Sequence, residues 1–180
     1  DILRWPGVIE DHKFETEILD NEAKELFDQA LDALISARRR EGSVLKNLLL
    51  KRIGSIQKII NSIRTKMPEI IANQKKNLLG RLKELKAELE PTRLEQEIAM
   101  LAQKADIDEE LDRLDSHLQE VERIISSSGQ KGRRLDFLMQ ELNREANTLS
   151  SKSIAVESTL GAVELKVLIE QMREQIQNIE

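Results

Sequence analysis

Apolar residues along most of this chain recur at the spacing of one face of an α-helix. Over residues 49–70 they alternate steps of four and three for three heptads, the pattern of a coiled-coil seam. The same rhythm returns over 78–89 and 111–125. We therefore predict an all-α protein with a long antiparallel coiled-coil-like helical hairpin, its arms at about 44–89 and 92–126, followed by C-terminal helices.

Breaks in this pattern divide the chain into four predicted segments. Residues 1–16, which contain the turn-forming Trp5-Pro6-Gly7, are predicted to be an extended linker. Residues 17–126 form the predicted helical arm region, and the Ser- and Gly-rich residues 127–132 form a flexible loop. Residues 133–180 form a C-terminal helical region with a polar functional face.

Four residues are predicted to shape the arm region. Gly42 ends a first helix at about Arg40, and Pro68 introduces a kink or a restarted turn. Pro91 marks the reversal between the two arms. Asp106, with Glu109 three residues later, forms a capping pair at a helix start.

Composition narrows the class of protein. The 180 residues include no Cys, so disulfide-stapled domains, thiol enzymes and Cys-ligated metal sites are excluded. No run of 18 apolar residues exists to cross a bilayer, so we expect a soluble, cytoplasmic protein without a membrane partner. Aromatic residues make up 2% of the chain, which argues against recognition of nucleic acid by base stacking.

Charge is unevenly distributed along the chain. Residues 36–86 hold 14 bases and 3 acids, whereas residues 1–35 and 87–180 are both acidic. The basic block either attracts a polyanion through counterion release or faces acidic segments of its own fold or of a neighbouring subunit. The sequence leaves both interpretations open.

The segment 132–152 has an unusual polar face. Its apolar side is ordinary for a helix, but the opposite side is dense in amides, guanidinium groups and carboxylates: Arg133, Arg134, Asp136, Gln140, Glu141, Asn143, Arg144, Glu145, Asn147, Thr148 and Lys152. Glu141 and Glu145 are one helical turn apart, a spacing that suits Mg²⁺ or Mn²⁺. One interpretation is a site for phosphates and a divalent cation; the other is a buried polar network that sets helix register.

His117 lies among the apolar positions of the predicted second arm. It is one of two histidines in the chain and is a candidate proton shuttle or metal ligand. The alternative is an ordinary histidine at the surface or the edge of the core. The motifs of zincins, P-loop NTPases, α/β-hydrolases and EF-hands are absent from the sequence.

The segment Gly132-Arg-Arg-Leu-Asp-Phe-Leu-Met-Gln-Glu-Leu-Asn-Arg-Glu-Ala-Asn-Thr-Leu-Ser-Ser-Lys-Ser-Ile154 resembles the bacterial YicC/YloC family. The resemblance extends to residues 3–9, 93–97, 106–117 and 164–180, and so covers essentially the whole chain. It implies a divalent-metal-dependent endoribonuclease that acts as a homo-oligomer, with a hexamer as the expected form, and without a small-molecule cofactor. It further implies that this chain corresponds to the C-terminal part and lacks an N-terminal domain ahead of Leu3.

The resemblance implies that the polar face of residues 132–154, with Glu97 and His117 as neighbours, contributes to the cleavage site, but it does not identify which carboxylates bind metal. The roles of individual residues are our own expectation. Expected at the metal, Mn²⁺ or Mg²⁺, are Glu141 and Glu145 as ligands, Asp136 as a third ligand or orienting group, and Glu97 as a neighbour. We expect His117 to be the general acid or base, so that the catalytic set is His117, Asp136, Glu141 and Glu145. The expected RNA contacts are Arg133, Arg134, Asn143, Arg144, Asn147 and Lys152. The competing hypothesis is a non-catalytic helical scaffold or oligomerisation module.

Overall fold

The computed structural model of the protein describes residues 2, 5, 7, 8, 16–84, 91–127 and 129–177. Within these residues the chain forms five α-helices and no strand, which confirms the predicted all-α class. The helices are α1 (Thr16–Glu84), α2 (Pro91–Lys104), α3 (Asp108–Ser126), α4 (Gly132–Lys152) and α5 (Val156–Ile176). None of the described helices has the length and apolar character needed to cross a membrane.

Helix α1 passes through both residues that were predicted to interrupt it. It is continuous for 69 residues, so the helix end predicted at Gly42 is wrong. Of the two alternatives predicted at Pro68, the restarted turn is wrong and the kink stays a prediction. A helical glycine costs only about 1 kcal/mol relative to alanine, and the strong helix formers Arg40 and Glu41 precede Gly42. Proline has a helix-compatible φ, and burial of Ile63 and Met67 offsets the hydrogen bond that Pro68 cannot donate.

The chain divides into two compact units, residues 1–44 and 45–180, with the boundary inside α1. In the first unit, the Val8 N–H donates to the Trp5 carbonyl at 3.1 Å and Gly7 has a φ of 87°, so the predicted turn is present. The described side chains of α1 in this unit are exposed, apart from half-buried Ala37. Large apolar side chains of this segment, including Phe27 and Leu34, are therefore exposed.

The second unit contains the hydrophobic core. The α1 seam is buried there from Leu49 to Met67, as its heptad spacing predicts. It joins one continuous core with buried residues of the later helices, among them Leu111, Leu114 and Leu118 of α3, Leu135, Leu142 and Leu149 of α4, and Leu165, Ile169 and Met172 of α5. Helix α2 contributes less, because its apolar residues Leu94, Ile98 and Leu101 are only half-buried.

Packing between the helices sets the register that positions the polar face of α4. Helices α3 and α4 are adjacent and antiparallel: Lys152 at the end of α4 contacts Glu110 at the start of α3, and Arg134 at the start of α4 contacts Glu120. Helix α5 in turn packs on α4. Helix α1 reaches α5 where Ile63 lies against Gly161.

The predicted second arm is divided into α2 and α3. Residues 105–107 separate the two helices, and α3 begins after Ile107, which makes no side-chain capping hydrogen bond. The predicted capping pair of Asp106 and Glu109 is therefore wrong, because burial of Ile107 in the core places that residue at the helix start. Arg64 of α1 contacts Asp112 and Asp115 of α3, but the hairpin as a whole stays a prediction because its reversal at residues 85–90 lies outside the described residues.

Candidate metal centre

His117 of α3 and two carboxylates of α4, Glu141 and Glu145, form a compact group. One potential ligand atom from each residue lies within 4.8 Å of the others. Glu145 is buried, whereas His117 and Glu141 are half-buried, so the group opens to solvent on one side. The antiparallel register of α3 and α4 brings the histidine opposite two residues that the helical repeat places one turn apart.

The chemistry of these three donors fits a divalent cation. Two carboxylates supply the negative charge and the hard oxygen ligands that Mg²⁺ and Mn²⁺ prefer, and an imidazole nitrogen favours a transition metal. Ligands about 2.1 Å from a cation lie at most about 4.2 Å apart, so small side-chain rotations suffice to close the group. Of the described residues, these are the ones that meet the spacing of a metal site.

Arg113 lies beside this group and also belongs to α3. Its Nη1 is 3.6 Å from Glu145 Oε1, and its Nη2 donates to Glu109 Oε1 at 2.6 Å. Glu109, Arg113 and His117 follow one another at intervals of one helical turn, so they share a face of α3. A guanidinium group thus accompanies the most buried carboxylate of the candidate centre.

Two of the expected metal residues lie elsewhere. Asp136 accepts a hydrogen bond from Gln140 Nε2 at 2.8 Å, and its Oδ1 is 3.7 Å from Arg173 Nε. Glu97 is exposed on α2 and lines a cavity that it shares with Gln74 and Arg81 of α1. The structure therefore brings together His117, Glu141 and Glu145, but neither Asp136 nor Glu97 belongs to the described group.

The arginines expected to contact phosphate are exposed. Arg133 and Arg134 line a cavity at the start of α4 together with Asp136 and Arg173, and Arg144 is exposed further along the helix. Arg134 Nη2 also donates to Glu120 Oε1 at 2.6 Å. Two hydrogen bonds from Arg123 are the main reason that the pKa of Glu120 is lowered from its usual value, and the charge of Arg134 adds to this effect.

The remaining polar residues of α4 differ in what they contact. Asn147 donates to Asn143 Oδ1 at 3.3 Å on the outer face of the helix. Lys152, by contrast, donates to the Asp106 carbonyl at 2.9 Å and to both carboxylate oxygens of buried Glu110, at 2.9 and 3.1 Å. These bonds use the donors of the ammonium group, so Lys152 ties the end of α4 to the start of α3.

Sequence reasoning missed two residues at this interface, Arg113 and Glu110. Arg113 precedes His117 by one helical turn, and that spacing is visible in the sequence. Glu110 gives no comparable signal, because an acidic residue in the first turn of a helix is usually a solvated partner of the helix dipole. Only its burial identifies it as the partner of Lys152.

Comparison with known proteins identifies the family. The family model described as the C-terminal region of YicC-like endoribonucleases matches residues 63–180, and the model of the N-terminal region matches residues 1–47. The chain belongs to the YicC-like endoribonuclease family. The resemblance found in the segment 132–154 is thereby confirmed, but its restriction to the C-terminal part is corrected, because residues 1–47 match the N-terminal region.

Two relatives carry the same name. The chain is 47% identical to the "Probable endoribonuclease YicC" of Haemophilus influenzae over its full length and 33% identical to that of Clostridioides difficile over 99% of its length. In both cases it spans 63% of the relative. The residues of the candidate metal centre all lie within the match to the C-terminal family model.

Proposed function

We propose that the protein takes part in divalent-metal-dependent cleavage of RNA, with the cation held by His117, Glu141 and Glu145. The observation that carries this proposal is the convergence of these three side chains from two helices within 4.8 Å. The names of the two relatives support RNA as the substrate. A cation bound here would supply a Lewis acid for water and for the charge of the scissile phosphate.

In this proposal His117 is a metal ligand rather than the general acid or base that the sequence led us to expect, because a metal-bound imidazole has no free nitrogen lone pair to accept a proton. Its position among the donor atoms, rather than apart from them, favours the ligand role. Glu141 is half-buried whereas Glu145 is buried, so Glu141 is the more accessible of the two carboxylates. An imidazole in the ligand set favours Mn²⁺ over Mg²⁺, because Mg²⁺ prefers an all-oxygen shell.

RNA contact is proposed for exposed and half-buried side chains of the same helix. Arg133, Arg134 and Arg144 offer guanidinium forks suited to phosphate, and Asn143 and Asn147 offer amides to the backbone or the 2′-hydroxyl. Asp136 orients Arg173 next to the first two arginines rather than holding metal. We leave Lys152 out of the RNA contacts because it is engaged by Glu110.

A scaffold function is the second candidate, and part of the polar face favours it. The pair formed by Lys152 and Glu110 fixes helix register, as expected of a polar network that serves assembly. The exposed apolar residues of α1, such as Phe27 and Leu34, are consistent with the homo-oligomer that the sequence predicts. Assembly and catalysis make different predictions for the carboxylates of α4.

Substitution of Glu141 or Glu145 by Gln tests the metal proposal. Glutamine keeps the shape of the side chain but lacks the charge that a hard cation requires. We expect cleavage of a labelled RNA stem-loop to fall about a hundredfold or more, and Mn²⁺ binding measured by calorimetry to be lost, while helicity is retained. Glu164→Gln is the matched control, because Glu164 is exposed on α5.

The same variants distinguish the two candidate functions. Retained cleavage by both Gln variants at saturating Mn²⁺ removes these carboxylates from the chemistry. Loss of assembly in sedimentation with intact cleavage assigns the polar face of α4 to the scaffold function. Unchanged behaviour of Glu164→Gln excludes a general effect of removing one acidic charge.

A further inference from the structure

Arg113 is the charged neighbour of the candidate metal centre that the proposed function does not use. Its guanidinium lies between an exposed carboxylate, Glu109 at 2.6 Å, and a buried one, Glu145 at 3.6 Å. The side chain of Arg113 is 53% exposed, whereas that of Glu145 is 6% exposed. One face of the guanidinium thus meets solvent while its Nη1 approaches the interior.

When no metal is bound, the buried Glu145 carboxylate needs another positive charge nearby. A buried carboxylate without a compensating charge is strongly destabilising. The ion pair that the structure shows for Glu145 is the one with Arg113. Without metal, Arg113 is therefore the group that offsets the burial of this ligand.

A divalent cation in the same group would compete with Arg113 for Glu145. It would sit among the donor atoms of His117, Glu141 and Glu145, only a few ångströms from the guanidinium, and two positive charges at that distance repel each other. The strong hydrogen bond to Glu109 gives Arg113 a second anchor at the surface. The guanidinium can turn away from Glu145 without losing its remaining partner.

We propose that Arg113 is a resident counter-cation of the centre: it holds Glu145 in its ligand position in the absence of metal and is displaced when a divalent cation binds. The proposal rests on the proposed function, because it requires the group to bind metal. It assigns Arg113 a positioning role and lowers the affinity of the site for metal. Competition of this kind makes metal binding weaker than it would be without the guanidinium.

Arg113→Gln tests this role through metal binding. We expect the dissociation constant for Mn²⁺, measured by calorimetry on the 180-residue chain, to fall about tenfold, because the variant removes the competing charge. The melting temperature without metal should fall, because Glu145 loses its partner, and the rise on adding Mn²⁺ should exceed that of the unmodified protein.

Arg123→Gln is the matched control. Arg123 lies on the same helix and is paired with a glutamate, Glu120, but that pair belongs to the far end of α3. Arg123→Gln changes the net charge by the same amount as Arg113→Gln. Because Arg123 is far from the centre, we expect the Mn²⁺ dissociation constant to stay within about twofold of the unmodified value. A tenfold increase in Mn²⁺ affinity in this control as well would contradict the proposal.

Arg113→Lys provides a second variant that keeps the charge. Lysine keeps the positive charge that repels the metal ion, so the Mn²⁺ dissociation constant of this variant should stay close to that of the unmodified protein. The variant also remains informative if Arg113→Gln does not fold. An unchanged or raised Mn²⁺ dissociation constant in Arg113→Gln overturns the proposed role of Arg113 but leaves the metal centre in place. A tighter Mn²⁺ affinity in Arg113→Lys has the same consequence. Absence of Mn²⁺ binding in the unmodified protein overturns the metal centre and this proposal together.

Discussion

At the scale of single residues, burial separates two kinds of charged group on α3 and α4. Glu145 and Glu110 are both buried, but Glu145 belongs to the candidate metal group whereas Glu110 is paired with Lys152. The pairing of Glu110 with Lys152 stabilises the register of α3 and α4. The partner of Glu145, Arg113, is also bound to Glu109, and we propose that metal can replace it at Glu145. The two glutamates therefore have different expected responses to substitution.

The pair of Lys152 and Glu110 yields a stability prediction. Lys152→Met should lower the free energy of unfolding by about 1–3 kcal/mol, because it leaves the Glu110 carboxylate buried without its cation; the exposed third of the lysine side chain reduces the effect. Urea denaturation followed by circular dichroism measures this change.

The double variant Lys152→Met/Glu110→Leu is the control for that measurement. Replacing both partners with apolar residues removes the unpaired charge, so its stability should return to within about 1 kcal/mol of the unmodified protein. A double variant less stable than Lys152→Met would show that the two residues act independently.

At the scale of helices, Gly161 of α5 allows α1 and α5 to approach each other closely. A Cβ atom at this position would lie 2.9 Å from Ile63 Cδ1 and 3.2 Å from Ile63 Cγ1 of α1. The absence of a side chain lets the seam of α1 pack directly on α5. Sequence patterns did not single out this glycine, because its only special feature is the neighbour it meets.

Gly161→Leu should therefore destabilise the protein despite the higher helix propensity of leucine. We expect a loss of about 1–3 kcal/mol from overpacking against α1, measured by urea denaturation. Gly42→Leu is the control, since nothing lies within 4 Å of a Cβ there and the substitution raises helix propensity. Equal stability of the two variants would show that α5 does not depend on close contact with Ile63.

At the scale of the whole molecule, the basic residues that cluster in the sequence fall into two groups: some form ion pairs within the fold and others are exposed. The basic block at 36–86 includes exposed Lys51 and Lys58, but its Arg64 pairs with Asp112 and Asp115 of α3. Part of the basic charge thus serves the fold, as one of the two sequence interpretations expected. The exposed Lys51 and Lys58 are candidates for contact with a polyanion.

RNA binding should become weaker with salt in proportion to the number of phosphate contacts. For single-stranded RNA, each contact contributes a slope of about −0.7 in a plot of log affinity against log salt. Arg133→Gln/Arg134→Gln and Lys51→Gln/Lys58→Gln should each reduce the slope by about 1.4, measured by fluorescence anisotropy without divalent metal.

The control removes two exposed lysines elsewhere, Lys24→Gln/Lys104→Gln, and should leave the slope unchanged. An unchanged slope in the variant of Lys51 and Lys58 would assign the basic block to assembly. An unchanged slope in the variant of Arg133 and Arg134 would remove the start of α4 from the RNA interface.

The sequence by itself determined the all-α class, the family, and the buried faces of α4 and of α1 between Leu49 and Met67. Periodicity is a local property, so two features could be predicted directly from the sequence: the α1 seam from Leu49 to Met67, and the C-terminal helical region predicted to begin at residue 133, where α4 begins at Gly132. Helix ends were less predictable. Gly42 and Pro68 have a local preference to interrupt a helix, but packing and neighbouring residues outweighed it.

Only the tertiary structure decided which polar residues meet. Heptad spacing specifies the face of a helix but not its partner or register, and residues 117 and 145 are brought together only by the antiparallel packing of α3 and α4. The same register removed Lys152 from the phosphate contacts and placed Arg113 beside Glu145. These contacts depend on distances between separate helices, which no periodicity within one helix encodes.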